Sequence, residues 1–238
     1  MDNAIYAALT RQSGLMREMR SVANNIANAN TTGFRREGVV FSEYMVSLDR
    51  RGETLAMANA HGRMIDQRPG DMTLTNGRFD LAIDGKGFFM VQTPQGNRLT
   101  RAGAFMTNAE GELVNPDGYQ LLDDGQAPVV IPAGVRDIGI GMDGTISADG
   151  TPVGRVGIFA VTDQSRLQHV AGTLFDPGDA AEPLDDAVLR QGFLEGSNVD
   201  PVLEIARMIE VQRAYQLGQS FLDQEDQRIR QAITILTR

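Results

Sequence analysis

Gly139-Ile140-Gly141-Met142-Asp143-Gly144 has the spacing of a dinucleotide-binding turn, where glycines let the backbone approach a pyrophosphate. That chemistry needs a helix N-terminus directly afterwards to receive the charge. Thr145-Ile146-Ser147 follows instead, and then a second turn pair, Asp149-Gly150. The segment therefore reads as a β-hairpin. Asp-Gly pairs also raise the question of calcium, whose helix-loop-helix sites need oxygen ligands at alternate positions closing on a glutamate. No segment supplies that series, and Asp123-Asp124 and Asp185-Asp186 read as solvated loop charges. His61 and His169 stand far apart, neither in a cluster with metal-ligand spacing. A Gly-x-Ser-x-Gly nucleophile turn is absent, so a serine triad has no strained turn to present it. These residues predict neither an enzyme, nor a cofactor, nor a metal site.

Composition narrows the choice further. The 238 residues contain no Cys, which removes disulfides, thiolate nucleophiles and Cys-ligated zinc. Lys+Arg 22 against Asp+Glu 31 gives a net charge of −9, the wrong sign for neutralising phosphates, so no nucleic-acid partner is expected. There is no apolar run near the length of a membrane span, and no membrane insertion is expected. The N-terminus lacks the basic, apolar and small-residue series of a cleaved signal peptide. Hydrophobic residues at 42% are enough for a core.

The elements that would position any site fall into three stretches. Ile5, Met19 and Ile26 lie on one seven-residue lattice, with polar Gln12 in its remaining slot. Leu9, Met16 and Ala23 lie four residues after the first three sites of that lattice, completing an apolar stripe on a helix over about 3–28. Arg11, Arg17, Glu18 and Arg20 are expected on the opposite face. At the other end, Met208, Tyr215, Leu222, Ile229 and Leu236 repeat every seven residues. Ile205, Ile209, Val211, Ala214, Ile233 and Ile235 widen that stripe. Asp200-Pro201 supplies an N-cap and a first-turn proline for one helix over 201–236, roughly 50 Å long. A helix of that length favours coiled-coil packing. Between the ends lie short alternating runs separated by Asn76-Gly77, Asp84-Gly85, Asp117-Gly118, Asp124-Gly125, Asp143-Gly144 and Asp149-Gly150, the pattern of an all-β module. Strands are expected at 79–83, 87–92, 113–115, 129–131, 137–140, 145–148 and 154–161. Residues 35–68 are the least readable, with some helical potential at 42–48.

Four blocks then carry a resemblance. Ala23-Asn24-Asn25-Ile26-Ala27-Asn28-Ala29-Asn30-Thr31-Thr32-Gly33-Phe34-Arg35 resembles the N-terminal signature of bacterial flagellar rod, hook and hook-associated axial proteins. Leu194-Glu195-Gly196-Ser197-Asn198-Val199-Asp200, with Met208-Ile209-Glu210-Val211-Gln212-Arg213-Ala214-Tyr215, resembles the matching C-terminal signature. Leu81-Ala82-Ile83-Asp84-Gly85-Lys86-Gly87-Phe88-Phe89 and Thr100-Arg101-Ala102-Gly103-Ala104-Phe105 resemble the β-domain segments of the rod and hook members. The sequence departs from the family where Gln216-Leu217-Gly218 stands in place of an acidic residue followed by Asn.

The resemblance implies an α+β chain. Its terminal helices would form a coiled-coil-like module around a narrow channel, with the β domain outside. The expected divisions are 1–34 (helix), 35–68 (connector), 69–190 (β domain) and 191–238 (helix, paired with 1–34). The implied role is a structural rod subunit carrying torque to the hook. The short length and the opening Met1-Asp2-Asn3-Ala4-Ile5-Tyr6 fit a proximal position better than a distal-rod or hook-type one. Partners would be other rod subunits, further copies of the chain and, during secretion, the flagellar export apparatus. The expected location is the periplasmic rod, reached without a cleaved signal. Assembly contacts are expected at Ile5, Leu9, Met16, Met19, Val22, Ile26, Met208, Tyr215, Leu222, Ile229 and Leu236. Asn24, Asn25 and Asn28 would cap the helix or bond to neighbouring chains. A secreted β-rich enzyme or carbohydrate-binding module is the alternative of another class, and would need paired carboxylates in a cleft.

Overall fold

A computed structural model describes residues 2–47, 54–162, 167–178, 181–184 and 186–236. Leu48 and Asp185, named above, lie outside the described residues, as do the side chains of Ile5, His61 and Leu236. The architecture is α+β, with one long helix at each end and a β-rich middle. It divides into two compact units, Met1–Ala27 with Glu37–Met64 and Asp200–Arg238, and Asn28–Arg36 with Ile65–Val199.

The first unit holds helices α1 (Asp2–Ala27) and α2 (Pro201–Leu236) and a hairpin of β1 (Glu37–Ser47) and β2 (Thr54–Ile65). Helix α2 starts where its sequence marks it: Asp200 Oδ1 accepts the amides of Val202 (2.9 Å) and Leu203 (3.2 Å). Contacts pairing Asn25 with Glu204, Glu18 with Arg207 and Gln12 with Tyr215 make the two helices antiparallel. Residues 42–47 are strand and not helix. Val39, Val40, Phe41, Tyr44 and Val46 favour extended backbone, and β2 supplies the ladder that a lone strand lacks.

The second unit is antiparallel throughout its paired strands. Its strands β3 (Met72–Leu74), β4 (Leu81–Asp84), β5 (Phe88–Thr93) and β6 (Gly96–Thr100) open the series. Among the described residues, the largest sheet runs Gln168–Ala171, Leu174–Asp176, β6, β5, Gln120–Leu121, Leu113–Val114, Met106–Thr107. Ile158–Val161 also pairs with β5, and it carries Ala181–Pro183 on its other edge. Strand β4 pairs with Val188–Gln191, and β3 with Phe193–Glu195.

Strand β5 shows why the middle folds around it. Its side chains alternate between two cores, a requirement of the two-residue strand period. Phe89 and Val91 join Leu81, Ile83, Leu113 and Leu121 on one face, while Phe88 and Met90 join Leu99, Phe159 and Phe175 on the other. A strand buried on both faces reads as a continuous apolar run, as Phe88-Phe89-Met90-Val91 does.

The glycine-rich hexad is a hairpin between Ile138–Ile140 and Thr145–Ala148, with Ile140 opposite Ile146. Two expected strands differ. Residues 129–131 contribute only a single bridge, Val130 to Glu112. The run 154–161 breaks into Thr151–Arg155 and Ile158–Val161. The break falls where Val156 N donates to the Gly144 carbonyl (2.9 Å) and Gly157 N to the Leu122 carbonyl (3.2 Å), and a Cβ on Gly157 would lie 2.4 Å from the Asp123 carbonyl carbon.

Candidate assembly surface

The first unit presents its chemistry along the α1/α2 seam. Asn25 is fully buried. Its Nδ2 donates to the Glu37 carbonyl (2.9 Å) and to Glu204 Oε2 (3.1 Å), and its Oδ1 accepts the Glu37 amide (2.9 Å). One side chain thus ties α1 to the start of β1 and to α2. Ser21 Oγ donates to the same Glu37 carbonyl at 2.9 Å. About two turns before Asn25 on α1, Arg207 Nε donates to Glu18 Oε1 at 2.7 Å, and Arg207 also pairs with Glu210 at 3.0 Å. The hydrogen bond that Arg207 donates to Glu18, and the charge of that carboxylate, hold the Arg207 guanidinium above its ordinary pKa. Leu15, Val22 and Val211 are buried in this unit.

This placement revises the expected face of α1. Glu18, assigned to the solvent side, is buried against α2, while Leu9 from the apolar stripe is 49% exposed. Met16, Met19 and Ile26 are half-buried, and Val22 is internal. The helix turns its Leu15-Glu18-Val22-Asn25 side inward because Glu37, Glu204 and Arg207 offer partners there, which periodicity alone does not reveal. Both amide atoms of Asn25 are engaged within the chain, at Glu37 and Glu204. Asn28 does act at the helix end, where its carbonyl accepts the Thr31 amide (3.1 Å) and its Oδ1 the Thr31 hydroxyl (3.2 Å). Asn24 is exposed.

On α2, Met208, Tyr215 and Leu222 are half-buried. Val211 is 2% exposed, but Ile229, Ile233 and Ile235 are 36%, 55% and 76% exposed. Helix α2 has 36 residues to the 26 of α1, so about ten residues of α2 run past the start of its partner. Ile229 and Ile233 continue the Val211-Leu222 face into that overhang at helical spacing. Ile205, Ile209, Leu217 and Phe221 add exposed apolar surface elsewhere on the helix.

A second cluster, inside the β unit, draws all four sequence blocks together. Arg35 Nη2 lies 2.6 Å from Glu195 Oε1, and Arg101 Nε lies 3.4 Å from Glu195 Oε2. All three side chains are almost wholly buried. Arg35 also donates to the Arg68 carbonyl, and Arg101 to the carbonyls of Gly85 and Ile83. Burial pushes the Arg101 guanidinium down to about 10 despite the nearby Glu195 carboxylate, and Arg35 is lowered for the same reason. Asn198 works alongside: its Oδ1 accepts the Arg36 amide, and its Nδ2 donates to the carbonyls of Asp66 and Arg68, both at 2.9 Å. Two glycines let these segments cross. Gly33 has φ +70°, and a Cβ on it would sit 2.2 Å from the Ala102 nitrogen; one on Gly103 would sit 1.6 Å from the Leu81 carbonyl oxygen. The roles of Arg35, Arg101, Glu195 and Asn198 escape a reading by periodicity, since charged residues in loops read as solvated. Their placement inside recognisable blocks was the available signal.

The described residues thus form an antiparallel pair of terminal helices and an antiparallel β module. Comparison with known proteins assigns the family. Residues 5–35 match the flagella basal body rod protein family, 82–148 the flagellar hook protein FlgE/F/G D1 domain, and 190–235 the flagellar basal body rod FlgEFG protein C-terminal family. The chain is 41% identical to the flagellar basal-body rod protein FlgF of Caulobacter vibrioides, covering 98% of this chain and 97% of that one. It is 33% identical to the FlgF of Mesorhizobium japonicum (91% and 90% covered) and 30% identical to the FlgG of Bacillus subtilis (99% of each). The chain belongs to the flagellar basal-body rod protein family. It is a structural rod component of the basal body, and its family is not one of enzymes.

Proposed function

We propose that the chain forms a tier of the proximal rod, between the motor and the distal rod. Residues 1–34 and 191–238 would supply the inner tube as a coiled-coil-like helix layer, and the β domain at 69–190 would lie outside it. The observation that carries this reading is the apolar face of α2 continuing through Ile229 and Ile233 past the start of α1. Among the described residues, α1 ends short of Ile229, so no helix of the same chain lies opposite it. A neighbouring subunit's helix, offered head-to-tail, covers it and leaves its own overhang open. Such heterologous contacts do not close on themselves and so build tubes. Leu9, Met16, Met19, Ile26, Met208, Tyr215 and Leu222, with Ile5 and Leu236, would share in these contacts. The proximal position is supported by the 41% identity to the FlgF of Caulobacter vibrioides against 32% to the FlgG of the same organism.

Passage through the flagellar export apparatus would deliver the chain to the periplasm. The absence of Cys suits that oxidising destination. Among the described residues, no helix is long and apolar enough to cross a membrane.

Deleting residues 1–30 or 205–238 tests the assignment. Each truncated chain should keep a cooperatively melting β unit yet fail to enter the basal body and fail to restore swimming. Truncated chains that assemble and support motility would remove the helices from the proposed role.

A further inference from the structure

Two residues look like local faults in the terminal helices. Gln12 interrupts the apolar lattice of α1, and Gly218 interrupts α2. A buried amide loses its water, and glycine inside a helix lowers the helix equilibrium about fivefold relative to alanine. The fold sets the two opposite each other. Gln12 Nε2 donates to the Tyr215 carbonyl oxygen at 3.0 Å. A Cβ on Gly218 would lie 2.6 Å from that same nitrogen. Helical side chains lean over the turn that precedes them, so residue 218 is the one positioned to cover the Tyr215 carbonyl. As glycine it leaves that oxygen open to a second donor. Gln12 Oε1 is buried and takes no donor among the described residues, so the bond to Tyr215 is what offsets burial of the amide.

We propose that Gln12 and Gly218 form a register-setting pair of α1 against α2, acting at the far end of the seam from Asn25–Glu204 and Glu18–Arg207. The apolar stripe cannot do this alone. Met208, Tyr215, Leu222, Ile229 and Leu236 repeat every seven residues, so sliding α2 by one heptad restores an equivalent stripe. Sliding by seven brings Val211 or Glu225 to the place of Gly218. Either side chain fills the space of the Gln12 amide and leaves it without an acceptor. A single polar residue in an apolar seam fixes register in this manner, at some cost in stability. The inference rests on the pairing of α1 with α2 in one chain and not on the proximal-rod reading.

A double-mutant cycle tests it in the full-length chain: native, Gln12→Ala, Gly218→Ala and the combination. Amide hydrogen exchange across residues 12–19 and 207–219 reads the helix pair. Gly218→Ala should lower protection about three- to tenfold in the native background, the equilibrium equivalent of one lost hydrogen bond. In the Gln12→Ala background the same substitution should raise protection, by up to about fivefold, because only helix propensity remains. Equal effects in both backgrounds would overturn the proposal. Swimming through soft agar, in a strain lacking its own copy, gives a second readout with the same reversal of sign. If the free chain exchanges both helices at coil rates, the swimming cycle decides alone, and independent effects there overturn the pair. A sign reversal in exchange without any restored swimming, even by the native chain, would support the pair and remove the rod reading.

Discussion

Asn25 and Glu195 each hold a buried polar cluster inside one unit. Glu195 is the counter-charge for two buried guanidiniums. Glu195→Gln leaves Arg35 and Arg101 without it and should cost about 3–5 kcal/mol, read as a lower urea midpoint of the β unit. Asn25 is different in kind, since its partners are a backbone pair and Glu204. Asn25→Asp keeps the acceptor but faces the Glu204 carboxylate with another. It should melt lower than Asn25→Ala at pH 7. That deficit should shrink as pH falls toward the carboxylate range, because the folded pair then takes up a proton more readily than the unfolded chain does. A deficit that grows on acidification would refute the repulsion. Neither residue was assigned this role by its type. Asn at a helix end reads as a cap, and Glu beside Gly-Ser-Asn reads as a solvated turn. Only the partners brought by distant segments make them internal.

At the scale of elements, legibility followed the locality of the signal. The bounds of α2 were readable because its cap, its first-turn proline and its heptad stripe all lie within the helix. Asp200→Ala should therefore cost about 1 kcal/mol of helix stability and speed exchange in the first turn of α2 more than elsewhere. The GxGxxG segment was readable as a hairpin for the same reason, since its turn residues suffice. Residues 42–47 were not. Their strand state depends on β2, and a helical spacing in so short a run is no match for a paired ladder. The inner face of α1 was also hidden, because polar partners on β1 and α2 outweigh an apolar count.

For the whole molecule, unequal helix lengths predict graded order. In the free chain, amides of α2 near Val211 should exchange slowly and those from about Ile229 onward fast, while assembly should protect the overhang. Uniform protection along α2 in a verified monomer would contradict the proposed open end. The sequence by itself determined the class of the protein. Two terminal helices, a turn-dense β middle, no Cys and no catalytic constellation are all set by residue type and local spacing. The tertiary structure alone decided which polar residues are internal. It turned Glu18 inward, engaged Asn25 inside the chain, gathered Arg35, Arg101 and Glu195 from three distant blocks, and matched Gln12 to Gly218. The physical reason is that a polar group's burial depends on its partner, and that partner lies more than a hundred residues away in Gln12–Tyr215, Asn25–Glu204 and Arg35–Glu195.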